Sequence, residues 1–312
     1  MMRVAFVQDR FKIGSWCCVA VDGMYPARLL ELCDVADRIG SGAYGTIRQA
    51  RSCSSASTRG YKSLAVKLLK DPEHFEVEAA FSFKHAHVID LIEAVKGETE
   101  KHASALVFPR FDCSLRDFLQ NRDEPPTMPI SRTIARQMAS GLAHVHAANV
   151  IHRDLKPANV LVKFVCADAT KAFMEVLVVI ADFGMARRLQ AEKVQHRLVG
   201  KKPSVYAEMT ARVMTSWYRA PELLYLGVDD HGDNDKGRAS YGKPVDVWSF
   251  GCVLWEVFML KPLARSNSLP ELVGCLVRLL FGVERRGGLS GARVGTPRRA
   301  GTSDMYTYWV HC

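Results

Sequence analysis

No uninterrupted apolar run in this 312-residue chain approaches the ~20 residues of a bilayer-spanning helix, so a membrane protein is not expected. A signal-peptide core is missing as well, because Gln8, Asp9, Arg10 and Lys12 separate the apolar residues 4–7 from 16–21. The 9 cysteines are scattered apart from Cys17-Cys18, and none stands at zinc-site spacing, which argues against both a disulfide framework and a structural zinc. A reducing compartment, cytoplasmic or nuclear, is the expectation. The 22 glycines and 13 prolines follow no repeat, so collagen-like and solenoid architectures drop out.

What is present is globular in proportion, 48% hydrophobic and 24% charged. The length suits about two domains or lobes with a core that needs no covalent staple. Lys plus Arg number 42 against 33 Asp plus Glu, a net charge of +9. That balance favours encounters with acidic surfaces, nucleotides or nucleic acid. The basic residues cluster only at Lys201-Lys202, Arg285-Arg286 and Arg298-Arg299. This is the pattern of a solvated surface, and nucleic-acid binding is not expected.

Residues 1–33 show no period and read as an extension before the first domain. Residues 35–50 read as a strand hairpin around a glycine-rich turn, and 63–69, 88–95 and 105–108 as further strands, with one helix over 73–83. After residue 108 the pattern turns helical. Ile134, Met138, Leu142 and Val145 fall at helical spacing within 131–147, with Ser131 as the expected N-cap. Residues 244–260 open on proline and form a strongly apolar helix, 268–282 form another, and the Gly/Arg-rich residues 285–312 read as a disordered or weakly packed tail.

Gly40-Ser41-Gly42-Ala43-Tyr44-Gly45 suits either a dinucleotide fingerprint or a phosphate-covering hairpin. A Rossmann turn needs a helix at the last glycine, whereas Thr46-Ile47-Arg48 continues as a strand, which favours the hairpin. Lys67 lies 22 residues past Gly45 inside an apolar strand. An ammonium there either snorkels to water or meets an anion. The segment His152-Arg153-Asp154-Leu155-Lys156-Pro157-Ala158-Asn159, followed by Asp182-Phe183-Gly184, is the decisive pattern, for which chance is a poor explanation.

With these motifs in this order, residues 34–282 resemble the eukaryotic protein kinases. The resemblance implies an α+β, two-lobed kinase fold, with an antiparallel sheet lobe carrying one helix (34–108) and a mainly helical, incomplete lobe (109–284). It implies that ATP and Mg2+ are the cofactors and that a protein is the substrate. Asp154 orients the substrate hydroxyl and accepts its proton, and Lys156 offsets charge at the γ-phosphate. Lys67 holds the α- and β-phosphates and pairs with a helix glutamate, Glu76, with Glu78 as the other candidate. Asn159 and Asp182 hold the metal. Ile39, Gly40, Gly42 and Gly45 cover the nucleotide, Ile47, Ala65 and Leu161 enclose the adenine, Phe108 is the gatekeeper, and Pro109 and Phe111 present hinge groups to the base.

Thr215-Ser216-Trp217-Tyr218-Arg219-Ala220-Pro221-Glu222 is similar to the branch that holds cyclin-dependent and mitogen-activated kinases. Lys156 and Thr215 then imply serine/threonine specificity, and Arg219 a preference for proline after the target. Asp246 is expected to brace the catalytic loop. Thr210 stands where relatives carry an activating phosphate added by an upstream kinase, with Arg153 and Arg187 as its partners. Phe75 replaces a third arginine, and Arg212 occupies the place of a second phosphosite. Nine residues separate Lys67 from Glu76, so the helix is short and lacks the usual cyclin-contacting sequence, which argues against cyclin dependence. Long stretches before Asp182 and over 192–203 are expected to lie in loops. No arginine is identified as partner to Glu222. The rival to an active enzyme is a catalytically silent kinase-like fragment that works by binding.

Overall fold

The computed structural model describes residues 25–42, 45–54, 56–69, 82–98, 103–165, 175–189, 207–210, 216–226, 238–266, 268 and 271–276. The chain separates into the units Met1–Val273 and Gly274–Cys312, the second described only over the helical residues 274–276. Apolar and β-branched segments in the first unit pair as β1 (Cys33–Gly42), β2 (Gly45–Ser52), β3 (Ser63–Leu69), β4 (Glu93–Val95) and β5 (Ser104–Pro109). They form one antiparallel sheet in the order β1-β2-β3-β5-β4. Strand alternation divides β3: Leu64, Val66 and Leu68 enter a core with Val35, Ala50, Ile92 and Val107, which turns Ala65 and Lys67 to the opposite face.

Residues 1–33, expected to be an extension, contribute to that core. In α1 (Ala27–Leu32) the leucines Leu29 and Leu32 are buried one turn apart beside Cys33. Each contributes roughly 1.5–3 kcal/mol by leaving water. Arg28 fastens the helix to β4, its Nε and Nη2 donating to Glu93 at 2.8 and 3.4 Å. Six residues are too few to show a helical period, which is why the sequence does not announce this helix. The strand expected over 88–95 shrinks to β4, because the Ile89 amide donates to the Ile180 carbonyl at 2.8 Å instead of to a neighbouring strand of the sheet. The helix expected over 73–83 lies outside the described residues up to 81, and 82–83 are not helical.

The lower lobe continues through β6 (Cys113–Ser114), α2 (Leu115–Gln120), α3 (Met128–Ala147), β7 (Val150–Ile151), β8 (Val160–Val165), β9 (Glu175–Ile180), β10 (Arg187–Arg188), β11 (Ala207–Thr210), α4 (Pro221–Leu226), β12 (Arg238–Tyr241) and α5 (Pro244–Met259). α3 starts three residues before the expected cap. Thr127 is its N-cap, Pro129 presets the first turn, and Ser131 is buried with its hydroxyl donating to the Pro126 carbonyl at 3.1 Å. Ile134, Met138, Leu142 and Val145 do enter the core, against Val160, Val162, Val178, Ile180 and Val253. This lobe also holds a sheet, β6-β8-β9. Much of the extra length before Asp182 is therefore paired strand, Val160 opposite Ile180 through Val165 opposite Glu175, while 166–174 lie outside the described residues. The described cysteines, Cys33, Cys53, Cys113, Cys252 and Cys275, are free thiols.

Candidate active site

The glycine-rich turn is a hairpin, with Gly42 paired to Gly45 and β2 running on as strand. Gly45 has no room for a side chain: a Cβ there would sit 2.2 Å from the Leu68 carbonyl oxygen of β3. Ile39 is exposed on β1, Gly40 lies opposite Ile47, and Ile47 lies opposite Lys67. Ala65 is paired with Phe108 across β3 and β5. Leu161 stands in β8, in the lower lobe, where it and Phe108 pack against the same core. Pro109 ends β5 without disturbing the sheet, and the hinge is fixed on both sides of Phe111 by Arg110 N to Ser63 O at 3.1 Å and Asp112 N to Val162 O at 3.0 Å.

Lys67 is 9% exposed and does meet an anion: its Nζ lies 2.8 Å from Asp182 Oδ1. Asp182 adopts a left-handed conformation (φ 65°), a costly one for a non-glycine residue, and its side chain keeps 38% of its surface open. Burial pushes its carboxyl up, but the Lys67 ammonium, with His152 and Lys156 behind it, outweighs that and holds the pKa below the ordinary aspartate range. Asp182 is thus a carboxylate ready for a cation.

The catalytic loop lies between β7 and the 3-10 turn Pro157–Asn159. Lys156 Nζ donates to Asp154 Oδ2 at 2.7 Å, and Asn159 Nδ2 donates to the same oxygen at 3.0 Å and to the Asp154 carbonyl at 2.8 Å. The Asn159 amide nitrogen is therefore committed to Asp154, and its oxygen is the end suited to a metal. An amide oxygen and a carboxylate are hard donors that fit Mg2+, which takes few protein ligands and completes its shell with phosphates and water. Two buried hydrogen bonds hold the loop from below, Asp246 of α5 accepting from His152 N at 2.8 Å and from Arg153 N at 2.9 Å, and a third, partly buried, pairs Asp246 with His146 Nε2 of α3 at 2.8 Å. The His152 ring is held on both sides, Nδ1 accepting from Asp154 N at 3.2 Å and Nε2 meeting the Ala181 carbonyl at 3.0 Å.

Arg153 is held inside the lobe. The side chain is 2% exposed, donating from Nε to the Met185 carbonyl at 2.6 Å and from Nη1 to Tyr241 Oη at 3.0 Å. In the register of β11 and β12, Tyr241 lies opposite Ala207 and Thr210 lies opposite Arg238. Thr210 is thus three strand positions from the residue that holds Arg153, and Arg187 donates to the Ala186 carbonyl. Burial, with the nearby Arg187 guanidinium among the lesser causes, lowers the Arg153 pKa, so the two arginines lie near each other, while the Thr210 side chain lies outside the described residues. Thr215, Glu76, Glu78, Phe75 and Arg212 lie outside the described residues. Among the described residues no ion pair reaches Glu222.

Two residues went unassigned in the sequence. Tyr218 Oη donates to Glu256 Oε2 at 2.7 Å, deep between the segment after Thr215 and α5. Ser249 Oγ donates to the Tyr218 carbonyl at 2.7 Å. The available signal was Glu256, a carboxylate in the apolar part of α5 that follows Asp246.

The protein kinase domain family model matches residues 33–275. Cyclin-dependent kinase 4 of Mus musculus is 32% identical over 256 residues, covering 78% of this chain and 72% of that one. Cyclin-dependent kinase C-2 C of Arabidopsis thaliana is 29% identical over 274 residues, covering 85% and 37%. A chain in the CAK complex of Chaetomium thermophilum bound to ATP-gamma-S superposes with a TM-score of 0.60 at 21% identity, covering 80% of this chain and 69% of that one. The chain therefore belongs to the protein kinase domain family, on the branch that includes the cyclin-dependent kinases.

Proposed function

We propose that this chain is an active protein serine/threonine kinase that transfers the γ-phosphoryl group of ATP, with Mg2+, to a protein hydroxyl, with proline favoured after the target. The observation that carries this reading is the convergence of Lys67 and Asp182 from opposite lobes at 2.8 Å, next to a loop that presents Asp154, Lys156 and Asn159. Asp154 takes the hydroxyl proton at a carboxylate oxygen, and Lys156, already on that carboxylate, meets the charge that grows on the transferred group. Lys67 positions the phosphates. Magnesium held by Asn159 and Asp182 neutralises phosphate charge. The bonds from Arg153 to Met185 and Tyr241 use two of the five guanidinium N–H donors, so an activating phosphate at Thr210 can pair with the same arginine.

The test is transfer from ATP and Mg2+ to a basic Ser-Pro-containing protein, comparing wild type with Asp154→Asn at equal folded concentration. Transfer that collapses in the variant supports the reading. A folded wild type with no transfer above the variant moves the function to a kinase-like binding module.

A further inference from the structure

Strand β9 is an edge strand, and edge strands leave alternate N–H and C=O groups without a ladder partner. Here side chains and a passing loop meet the Val176 carbonyl and both backbone groups of Val178 and Ile180. Gln137 of α3 donates from Nε2 to the Val176 carbonyl at 3.1 Å and accepts the Val178 amide on Oε1 at 2.7 Å. His87 donates from Nδ1 to the Val178 carbonyl at 3.2 Å. The Ile180 amide donates to the His87 carbonyl at 3.0 Å, and the Ile89 amide to the Ile180 carbonyl at 2.8 Å. Two residues past Ile180 stands Asp182. Whatever fixes residue 87 therefore fixes the strand that delivers the metal-binding carboxylate.

His85 fixes residue 87. The His87 amide donates to His85 Nδ1 at 3.1 Å, a bond that exists only while Nδ1 is bare, beside the turn bond from the Val88 amide to the His85 carbonyl at 3.2 Å. Neutral His85 then carries its proton on Nε2, which faces Ser140 Oγ at 3.2 Å. Its ring stacks on His144 of α3, centroids 4.8 Å apart and planes 21° apart. The packing has no slack: a Cβ on Gly141 would sit 2.3 Å from the His87 carbonyl oxygen.

We propose that His85 and His87 are positioning residues for Asp182, and that neutral His85 is required for tight binding of the metal nucleotide, so that affinity for ATP is lost under acid conditions. This rests on the kinase reading of Asp182. The groups facing His85 are His87 on its own segment and His144 and Ser140 from α3, while the Lys84 ammonium next to it is bound to Asp90 at 2.8 Å. No carboxylate contacts the ring among the described residues. Burial, then His144 and His87, lowers the pKa of His85 below the ordinary histidine value. The neutral ring therefore dominates at neutral pH and is lost as pH falls through that depressed value. Protonation at Nδ1 removes the acceptor for the His87 amide and sets a cation against two imidazoles.

His85→Asn separates this from general acid damage, because an asparagine oxygen accepts an amide two residues on and cannot be protonated. The readout is the ratio of KM for ATP at pH 5.5 to that at pH 7.5, at saturating Mg2+, in wild type and H85N. ATP's own titration is common to both. The expected result is a wild-type KM that rises by up to ~10-fold per pH unit below the His85 pKa while kcat changes less, with a much smaller ratio in H85N. Hydrogen exchange of the 175–182 amides, corrected for intrinsic rate, is measured on the same proteins, with protection lost at pH 5.5 in wild type and kept in H85N. Equal KM ratios, or equal protection in the two proteins at pH 5.5, overturn the proposal. If wild type shows no transfer at pH 7.5 the kinase reading fails, and the exchange result alone decides whether His85 holds β9.

Discussion

Replacing Asp246 by asparagine changes two atoms in the most heavily used carboxylate of the lower lobe. Asp246 is fully buried, with Oδ1 serving Arg153 N and Oδ2 serving His152 N and His146 Nε2. An asparagine has one acceptor oxygen. Kept at the Oδ2 position, it still serves two donors and turns an NH2 group against the Arg153 amide. The lost bond to a charged acceptor is worth about 1.5–3 kcal/mol, and a buried amide left without an acceptor costs about 1–3 kcal/mol more. The sum, about 2.5–6 kcal/mol, is a large share of the ~5–15 kcal/mol that holds a domain together. Arg153 also has a positive φ of 68°, a conformation that persists only while its surroundings insist on it. Thermal unfolding of Asp246→Asn should therefore occur roughly 5–24 °C below wild type. Activity of the folded fraction should fall as well, because residues 152–154 carry the loop that presents Asp154. A melting point within ~2 °C of wild type would refute the argument that these bonds hold the loop.

Two other substitutions test the packing around the site. Gly141→Ala should destabilise by about 1–3 kcal/mol in denaturant unfolding, since the Cβ meets the His87 carbonyl oxygen at 2.3 Å. Helix propensity alone predicts a gain of up to ~1 kcal/mol, so a stabilised variant would show that the segment yields. Tyr218→Phe should cost about 1.5–3 kcal/mol by removing the donor to Glu256. Burial already raises the Glu256 pKa, partly offset by Tyr218, so the folded state favours its proton and this contribution weakens as pH rises above the ordinary glutamate range. Losing the hydroxyl lifts the pKa further. The melting-point gap between Y218F and wild type should be wider at pH 8 than at pH 5, and a gap that narrows would contradict the assignment.

The catalytic residues were legible in the sequence because their geometry is local. Asp154, Lys156 and Asn159 lie within one loop and one 3-10 turn, so their spacing nearly sets their separation. Strand alternation likewise placed Lys67 opposite the core face of β3, and a strand after Gly45 marked a hairpin. Long-range partners left no such trace. Asp246 reaches residues 152 and 153 across 94 and 93 positions, His87 reaches Val178 across 91, and Tyr218 reaches Glu256 across 38. None of these pairs shares a period, a spacing or a turn. Arg153 shows the same limit from the other side: its motif suggested a phosphate partner, and burial against Met185 and Tyr241 gave it two others. By itself the sequence determined which groups form the candidate site and which strand faces they occupy, because motif spacing and backbone periodicity carry that information. Only the tertiary structure decided what holds those groups still, because desolvated hydrogen bonds between distant segments exist only once the core has closed around them.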